Sequence, residues 1–393
     1  MEKFKQLILN PVENLPFLVV NQPPAELHGM YVSDKEKTDE IMKASKIAFS
    51  GRDTHNLEVR SIYAEWAKAL DVKHLSMRLL SGLHAHTVLF MGLGNIGDTI
   101  MLLPEEAGGH FSTKKILTRL GYHIIDVVPD HHNFCIDIEA TLKLIYKSKP
   151  KFLFVDRSEG IHYEDFSPLF AKKIPWEFSS VFDASQYLTN ILNDDFISPF
   201  DMGFDIMIST MHKNLPGPQK ALVCSRDDNL AWNRIEIAMS DYVSSLHVDT
   251  TYVAGYILKE REFLKLYSKR MIENSINLEN ELYDRGLPIV KKNKKLQATH
   301  HIWIATNDKD YAYGFFERME LCGLLVNYRK LPYGLGMGIR MGTSAATLQG
   351  INEQNINRLS ELITNLYQNI EVTDNLYVQC QEFISNLRPM ISK

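Results

Sequence analysis

The chain has 393 residues, 45% of them hydrophobic and 23% charged, with 48 acids against 43 bases for a net charge of −5. These values sit near globular averages, which excludes a disordered, collagen-like or coiled-coil chain, and ~150 residues per domain predicts two to three domains. No stretch is strongly basic, so a nucleic-acid binder resting on clustered phosphate contacts is excluded too.

Residues 1–45 contain several prolines, then the charged SDKEKTDE, and read as an N-terminal arm. Charges at Glu2, Lys3 and Lys5 precede an apolar run too short for a signal peptide. The longest apolar stretch, 87–91, falls far below the ~20 residues of a membrane span, so no membrane partner is expected. Cys135, Cys224, Cys322 and Cys380 are widely scattered, with no zinc-ligand spacing and no disulfide framework. A cytoplasmic enzyme is the expectation.

Residues 46–285 alternate short β-branched or aromatic runs with longer amphipathic stretches, the pattern of βαβ units. Strands are predicted at 151–156, 179–185, 204–210 and 221–225. They are apolar almost throughout, which predicts burial on both faces and hence an α/β fold with a mainly parallel sheet. Residues 250–285 predict one long helix, stopped by Gly286 and Pro288, that closes this large domain. Residues 286–393 alternate again and predict a smaller α+β domain.

Three local patterns carry chemistry. LLSGLHAHTV places Ser81 and Gly82 ahead of a helical run, where free backbone N–H groups and the helix dipole cradle a phosphate. SSVFDAS ends an apolar strand on Asp183, an acid suited either to a helix N-cap or to a protonated pyridine nitrogen. STMHKNLPGPQ runs a strand into His212 and Lys213 before a Pro-Gly-Pro turn, at the strand end where α/β folds place ligands. A cradle, an acid and an amine in that order are the parts that pyridoxal 5′-phosphate requires.

The whole chain resembles the fold-type-I pyridoxal-phosphate enzymes, and most closely the serine hydroxymethyltransferase group. TMHKNLPGP is similar to that family's T-x-x-H-K-x-L-x-G-P, Gly108-Gly109-His110 to its GGH, VFDASQ to its D-x-A-H, GIRMGTSAAT to its G-[IV]-R-[IL]-G-T-x-A, and NPVEN to its A-S-E-N. The resemblance implies Lys213 as the Schiff-base lysine, Asp183 at the ring nitrogen, and Ser81, Gly82 and Leu83 at the phosphate. It implies His110 stacked on the ring, Ser158 near the phenolic oxygen, and Gln186, Thr210 and His212 beside the cofactor. Arg340 would hold the substrate carboxylate, with Val12, Glu13 and Phe49 on the substrate side. Ser244 and Ser245 fall where the family's Gly-Gly reaches the neighbouring subunit's phosphate, which implies a homodimer with the active site at its interface.

The departures cluster on the substrate and folate side. The family's tyrosine pair falls on Ala48 and Phe49, counting back from Ser81 with Gly51 as the final glycine. Its catalytic glutamate has only Ser33, Asp34 and Glu36 as candidates. Val12 replaces the A-S-E-N serine, and Gln186 replaces the D-x-A-H histidine. The implied activity is therefore making or breaking a Cα–Cβ bond of a small amino acid, glycine, serine or a 2-methyl or 3-hydroxy analogue. His110 or His212 is the candidate base, and tetrahydrofolate is in doubt. Transamination, decarboxylation, β-substitution and a non-catalytic binding protein stay open as alternatives. So does a dehydrogenase, because MGLGNIGD contains G-x-G-x-x-G after an apolar run. The HHNFC and THHIW pairs lack a third ligand at sensible spacing, so no metal is expected. KKNKK (291–295) reads as a solvated loop.

Overall fold

The computed structural model describes residues 5–16, 53–244, 247–306 and 308–390. Seven strands form the central sheet: β1 (His74–Leu79), β2 (Thr99–Leu102), β3 (His123–Asp126), β4 (Phe152–Val155), β5 (Ser179–Asp183), β6 (Ile206–Thr210) and β7 (Ala221–Ser225), in the order β1-β7-β6-β5-β4-β2-β3. All run parallel except β7, which is antiparallel to both neighbours.

Alternation along the strands divides the core. Phe152, Phe154, Val181, Ile206 and Ile208 pack on one face with helix α1 (Gly82–Leu93). Leu153, Val155, Phe182 and Met207 pack on the other. Because side chains alternate with a period of two, Asp156, Asp183 and Thr210 fall on the α1 face at the carboxyl edge of the sheet. Each fully buried Phe here contributes roughly 2–3 kcal/mol of apolar burial.

Two expectations change. The long helix is two, α2 (Val248–Lys259) and α3 (Arg261–Asp284), broken at Glu260 with φ −85° and ψ 38°. The break lets α2 turn onto the helix Asp53–Ala69, where a Cβ on Gly255 would lie 2.8 Å from Ile62 Cγ1. Meanwhile α3 buries Leu264 and Met271 in the central core and Leu278 and Leu282 in a second core. Packing against different partners, not helix propensity, decides this. The loop 291–295 is also not wholly solvated: the Lys292 side chain is buried, its Nζ 2.6 Å from Glu279 Oε2 and 3.0 Å from Ser275 Oγ.

The second core surrounds an antiparallel sheet of β8 (His301–Ala305), β9 (Asn327–Leu331) and β10 (Gly336–Gly342), ordered β8-β10-β9. The N-terminal segment threads into it: Leu7–Ile8 pairs in parallel with Leu324–Leu325, and Leu9 O accepts from Gly342 N at 2.7 Å. The G-x-G-x-x-G glycines, Gly92, Gly94 and Gly97, lie at the end of α1 and in the turn before β2. No strand leads into them, so the dinucleotide reading fails on its structural context.

Candidate active site

The carboxyl ends of β4, β5 and β6 open beside the first turn of α1, and a cleft forms there. Ser81 caps α1, its Oγ accepting from His84 N at 3.2 Å. The N–H groups of Gly82 and Leu83 are then first-turn donors at the cleft wall. Gly82 must lack a side chain, since a Cβ would stand 2.7 Å from Thr210 Cγ2. Thr210 Oγ1 itself is buried without a partner.

Asp183, Lys213, His110, Ser158, Gln186 and Thr210 line this same cleft. Burial pushes the Asp183 carboxyl up, but hydrogen bonds from His86 (2.7 Å) and Ser185 N (2.8 Å), with the Lys213 charge, bring it below the usual carboxylate range. Burial lowers the Lys213 amine, Arg340 lowers it further, and Asp183 opposes both. Lys213 is thus readily deprotonated yet faces an ionised acid, the balance a carbonyl-seeking amine needs. Burial takes His110 down to about 4, helped by His86 and Lys213. His212 also falls to about 4 through burial and Lys213, but it stands beside the cleft rather than in its wall.

The turn that carries His110 depends on close backbone approach. A Cβ on Gly108 would lie 2.0 Å from Glu159 O, and one on Gly109 2.1 Å from Leu103 O. Glu159 N donates to Gly108 O at 3.0 Å, stitching this turn to the segment after β4.

Arg340, on β10, is buried and reaches the cleft rim, its Nη1 3.5 Å from Ser158 O and 3.8 Å from Glu159 Oε1. Burial lowers its guanidinium to about 10. Glu159 also pairs with Arg329. Gln186 Oε1 meets His300 Nε2 at 3.1 Å and His301 Nε2 at 3.3 Å, so the THHIW pair is committed to an amide. No cluster of three metal-ligating side chains occurs among the described residues. Val12 is half-buried and Glu13 exposed; neither lines the cleft. Their neighbour Asn14 instead ties the segment to the lysine loop, with Nδ2 2.6 Å from Lys213 O. Ser244 is exposed away from the cleft, while Phe49, Ser245, Ala48, Gly51, Ser33, Asp34 and Glu36 lie outside the described residues.

Sequence reasoning missed His86, Asp156, Glu159 and Arg329. Asp156 was within reach, because it shares the parity of Phe152 and Phe154 and so faces α1.

The serine hydroxymethyltransferase family profile matches residues 64–363. The chain belongs to the serine hydroxymethyltransferase family. It is 25% identical over 328 residues to serine hydroxymethyltransferase of Archaeoglobus fulgidus, covering 80% of this chain and 74% of that protein. It is 29% identical over 292 residues to fluorothreonine transaldolase of Streptantibioticus cattleyicolor, covering 74% of this chain but 45% of that protein. The crystal structure of L-threonine transaldolase from Pseudomonas fluorescens superposes with a TM-score of 0.86 at 19% identity, covering 98% of this chain and 88% of that one. This family member is therefore a fold-type-I, pyridoxal-phosphate-dependent enzyme that makes or breaks a Cα–Cβ bond.

The cleft fits that cofactor on its own chemistry. It offers free N–H donors at a helix start for a phosphate, an unpartnered Thr210 hydroxyl, an ionised Asp183 for a protonated ring nitrogen, and the Lys213 amine for an aldehyde.

Proposed function

We propose that this enzyme carries out a folate-independent aldol-type reaction on a 3-hydroxy amino acid of the threonine or serine type. The carrying observation is that Lys213, Asp183 and the first turn of α1 share one cleft, with Arg340 at its rim. The cofactor, when bound, supplies an electron sink for Cα. Gly82 and Leu83 N–H would hold its phosphate, Asp183 its ring nitrogen, His110 its face and Lys213 its aldehyde carbon. Gln186, Thr210 and Ser158 shape the surrounding wall, with His212 beside it. Arg340 offers a planar fork to the substrate carboxylate and orients the Cα–Cβ bond.

In cleavage the substrate's hydroxyl O–H bond breaks, its oxygen becomes the aldehyde carbonyl, and the Cα–Cβ pair stays on Cα. A proton or a second aldehyde then takes that pair. His110 lines the cleft and is unprotonated at neutral pH, so it is assigned to accept the hydroxyl proton. Support for the substrate class comes from the two transaldolases named above, and from the departures on the folate side.

We further propose a cytoplasmic homodimer whose interface covers the cleft. Leu80, Leu83 and Phe111 are exposed around it, an apolar rim that a second copy would bury. Cys135, Cys224, Cys322 and Cys380 stand as thiols, in keeping with a reducing compartment. Residues 46–285 are proposed as the cofactor-binding unit, and residues 286–393 as the smaller unit that brings Arg340.

The test incubates purified enzyme, reconstituted with pyridoxal phosphate, with L-threonine and with L-serine, each with and without tetrahydrofolate, and follows aldehyde release. Acetaldehyde from threonine, independent of folate and lost in Lys213→Ala together with the visible absorption band, is the expected result. Turnover of serine alone, and only with tetrahydrofolate, overturns it.

A further inference from the structure

Three buried side chains with no part in the chemistry above form a hydrogen-bonded chain that ends on Asp183. Asp156 Oδ2 bonds Thr113 Oγ1, Thr113 Oγ1 lies 3.3 Å from His86 Nδ1, and His86 Nε2 lies 2.7 Å from Asp183 Oδ2. With Asp183, the four groups come from four separate elements: the end of β4, the helix Thr113–Arg119, α1 and the end of β5. None is more than 8% exposed. Asp156 Oδ1 is also buried, with no hydrogen-bond partner.

Counting hydrogens shows what this order permits. Between the two carboxyl groups stand one hydroxyl and one imidazole. With Asp156 protonated, its O–H donates to Thr113, the Thr113 hydroxyl donates to His86 Nδ1, and Nε2–H donates to the Asp183 carboxylate. The same hydrogens fit a second arrangement. The Asp156 O–H bond breaks as Thr113 Oγ1 takes that proton, and the original Thr113 O–H bond breaks as His86 Nδ1 takes its own. Asp156 is then ionised and the imidazole carries both protons. The total charge is unchanged, and no outside acid or base is needed.

We propose that Asp156, Thr113 and His86 are a proton relay that sets the charge beside Asp183, and through it the proton on the cofactor's ring nitrogen. The relay rests on the assignment of Asp183 to that nitrogen. Burial, reinforced by Asp183, holds the Asp156 carboxyl well above the usual carboxylate range, whereas Asp183 lies below it. Two acids pushed apart in this way are the arrangement in which one stores a proton while the other stays ionised. The other groups facing the chain are Lys213, opposite Asp183, and His110, whose ring is 6.0 Å from that of His86. Arg157, next to Asp156, is committed to Glu164.

Thr113 does not line the cleft, so Thr113→Val cuts the middle link without touching the cofactor, and Thr113→Ser restores the hydroxyl. In the apoprotein, ¹⁵N NMR of His86 should show Nδ1 as a hydrogen-bond acceptor in wild type and Thr113→Ser, shifted to a bare nitrogen in Thr113→Val. In the holoprotein, the pH midpoint of the visible band should move by roughly half a unit or more in Thr113→Val and, in the same direction, in Asp156→Asn, with Thr113→Ser at the wild-type value. Should Thr113→Val fail to fold, Asp156→Asn carries the test. Identical Nδ1 shifts and midpoints across the set overturn the relay. A protein that never acquires a visible band overturns the site assignment instead, and the apoprotein spectra then decide the relay alone.

Discussion

At the residue scale, the chemistry rests on side chains whose charge is controlled by burial. His110 is held neutral, so its ring can both lie against a cofactor and take a proton. His110→Phe keeps the flat ring and removes the nitrogens. It should retain the visible band while slowing aldehyde release about 10²- to 10⁴-fold, and an unchanged rate would remove His110 from the chemistry. His300 makes a different case, because burial lowers it from 6.5 to about 3 against Gln186. The unfolded chain binds a proton below 6.5 that the native chain refuses, so this contribution is complete above 6.5 and is lost as pH falls toward 3. His300→Asn should therefore flatten the fall of unfolding free energy between these limits by up to about 1.4 kcal/mol per pH unit. Denaturant titrations at several pH values measure it. Lys213 and Asp183 were legible because each stands where an apolar strand meets a turn. His86 was not, since its role exists only where α1 lies over Asp183.

At the scale of elements, strand-end motifs supply groups and glycines let the turns meet. The NPVEN segment shows how a distant piece of chain takes part. Asn14 Nδ2 lies 2.6 Å from Lys213 O, 3.0 Å from Tyr267 Oη and 3.4 Å from Asn214 O, joining the N-terminal segment, the lysine loop and α3. Asn14→Ala strands buried acceptors and should cost about 1–3 kcal/mol. Weaker cofactor retention should accompany the lower melting temperature, and full retention would show that the tie does not reach the lysine. Strands β4 to β7 were visible from their apolar runs. The break at Glu260 was not, because hydropathy periodicity continues across it and only the separate partners of α2 and α3 require the turn.

At the scale of the whole molecule, buried polar ties join the central sheet to the C-terminal region. Arg157 pairs with Glu164, donates to Ala107 O at 2.5 Å, and donates to Tyr333 Oη at 2.7 Å from beyond β9. Arg157→Met leaves Glu164 buried without its counter-charge, although Ile136 N still donates to it at 2.6 Å, at a cost of about 3–5 kcal/mol near neutral pH. Burial already pushes the Glu164 carboxyl up, so protonation should relieve the penalty as pH falls. Comparing unfolding of wild type and variant at pH 7 and pH 5 checks both points. By itself the sequence determined the mainly parallel sheet, the strand-end acid and amine, the family and its cofactor, because apolar period, turn residues and motif order are local properties of the chain. Only the tertiary structure decided that Arg340 answers to Glu159, that the Lys292 side chain is buried, and that Asp156, Thr113 and His86 stand in line with Asp183. Those depend on which side chains meet across the sheet, and a buried group's charge is set by neighbours far from it in sequence.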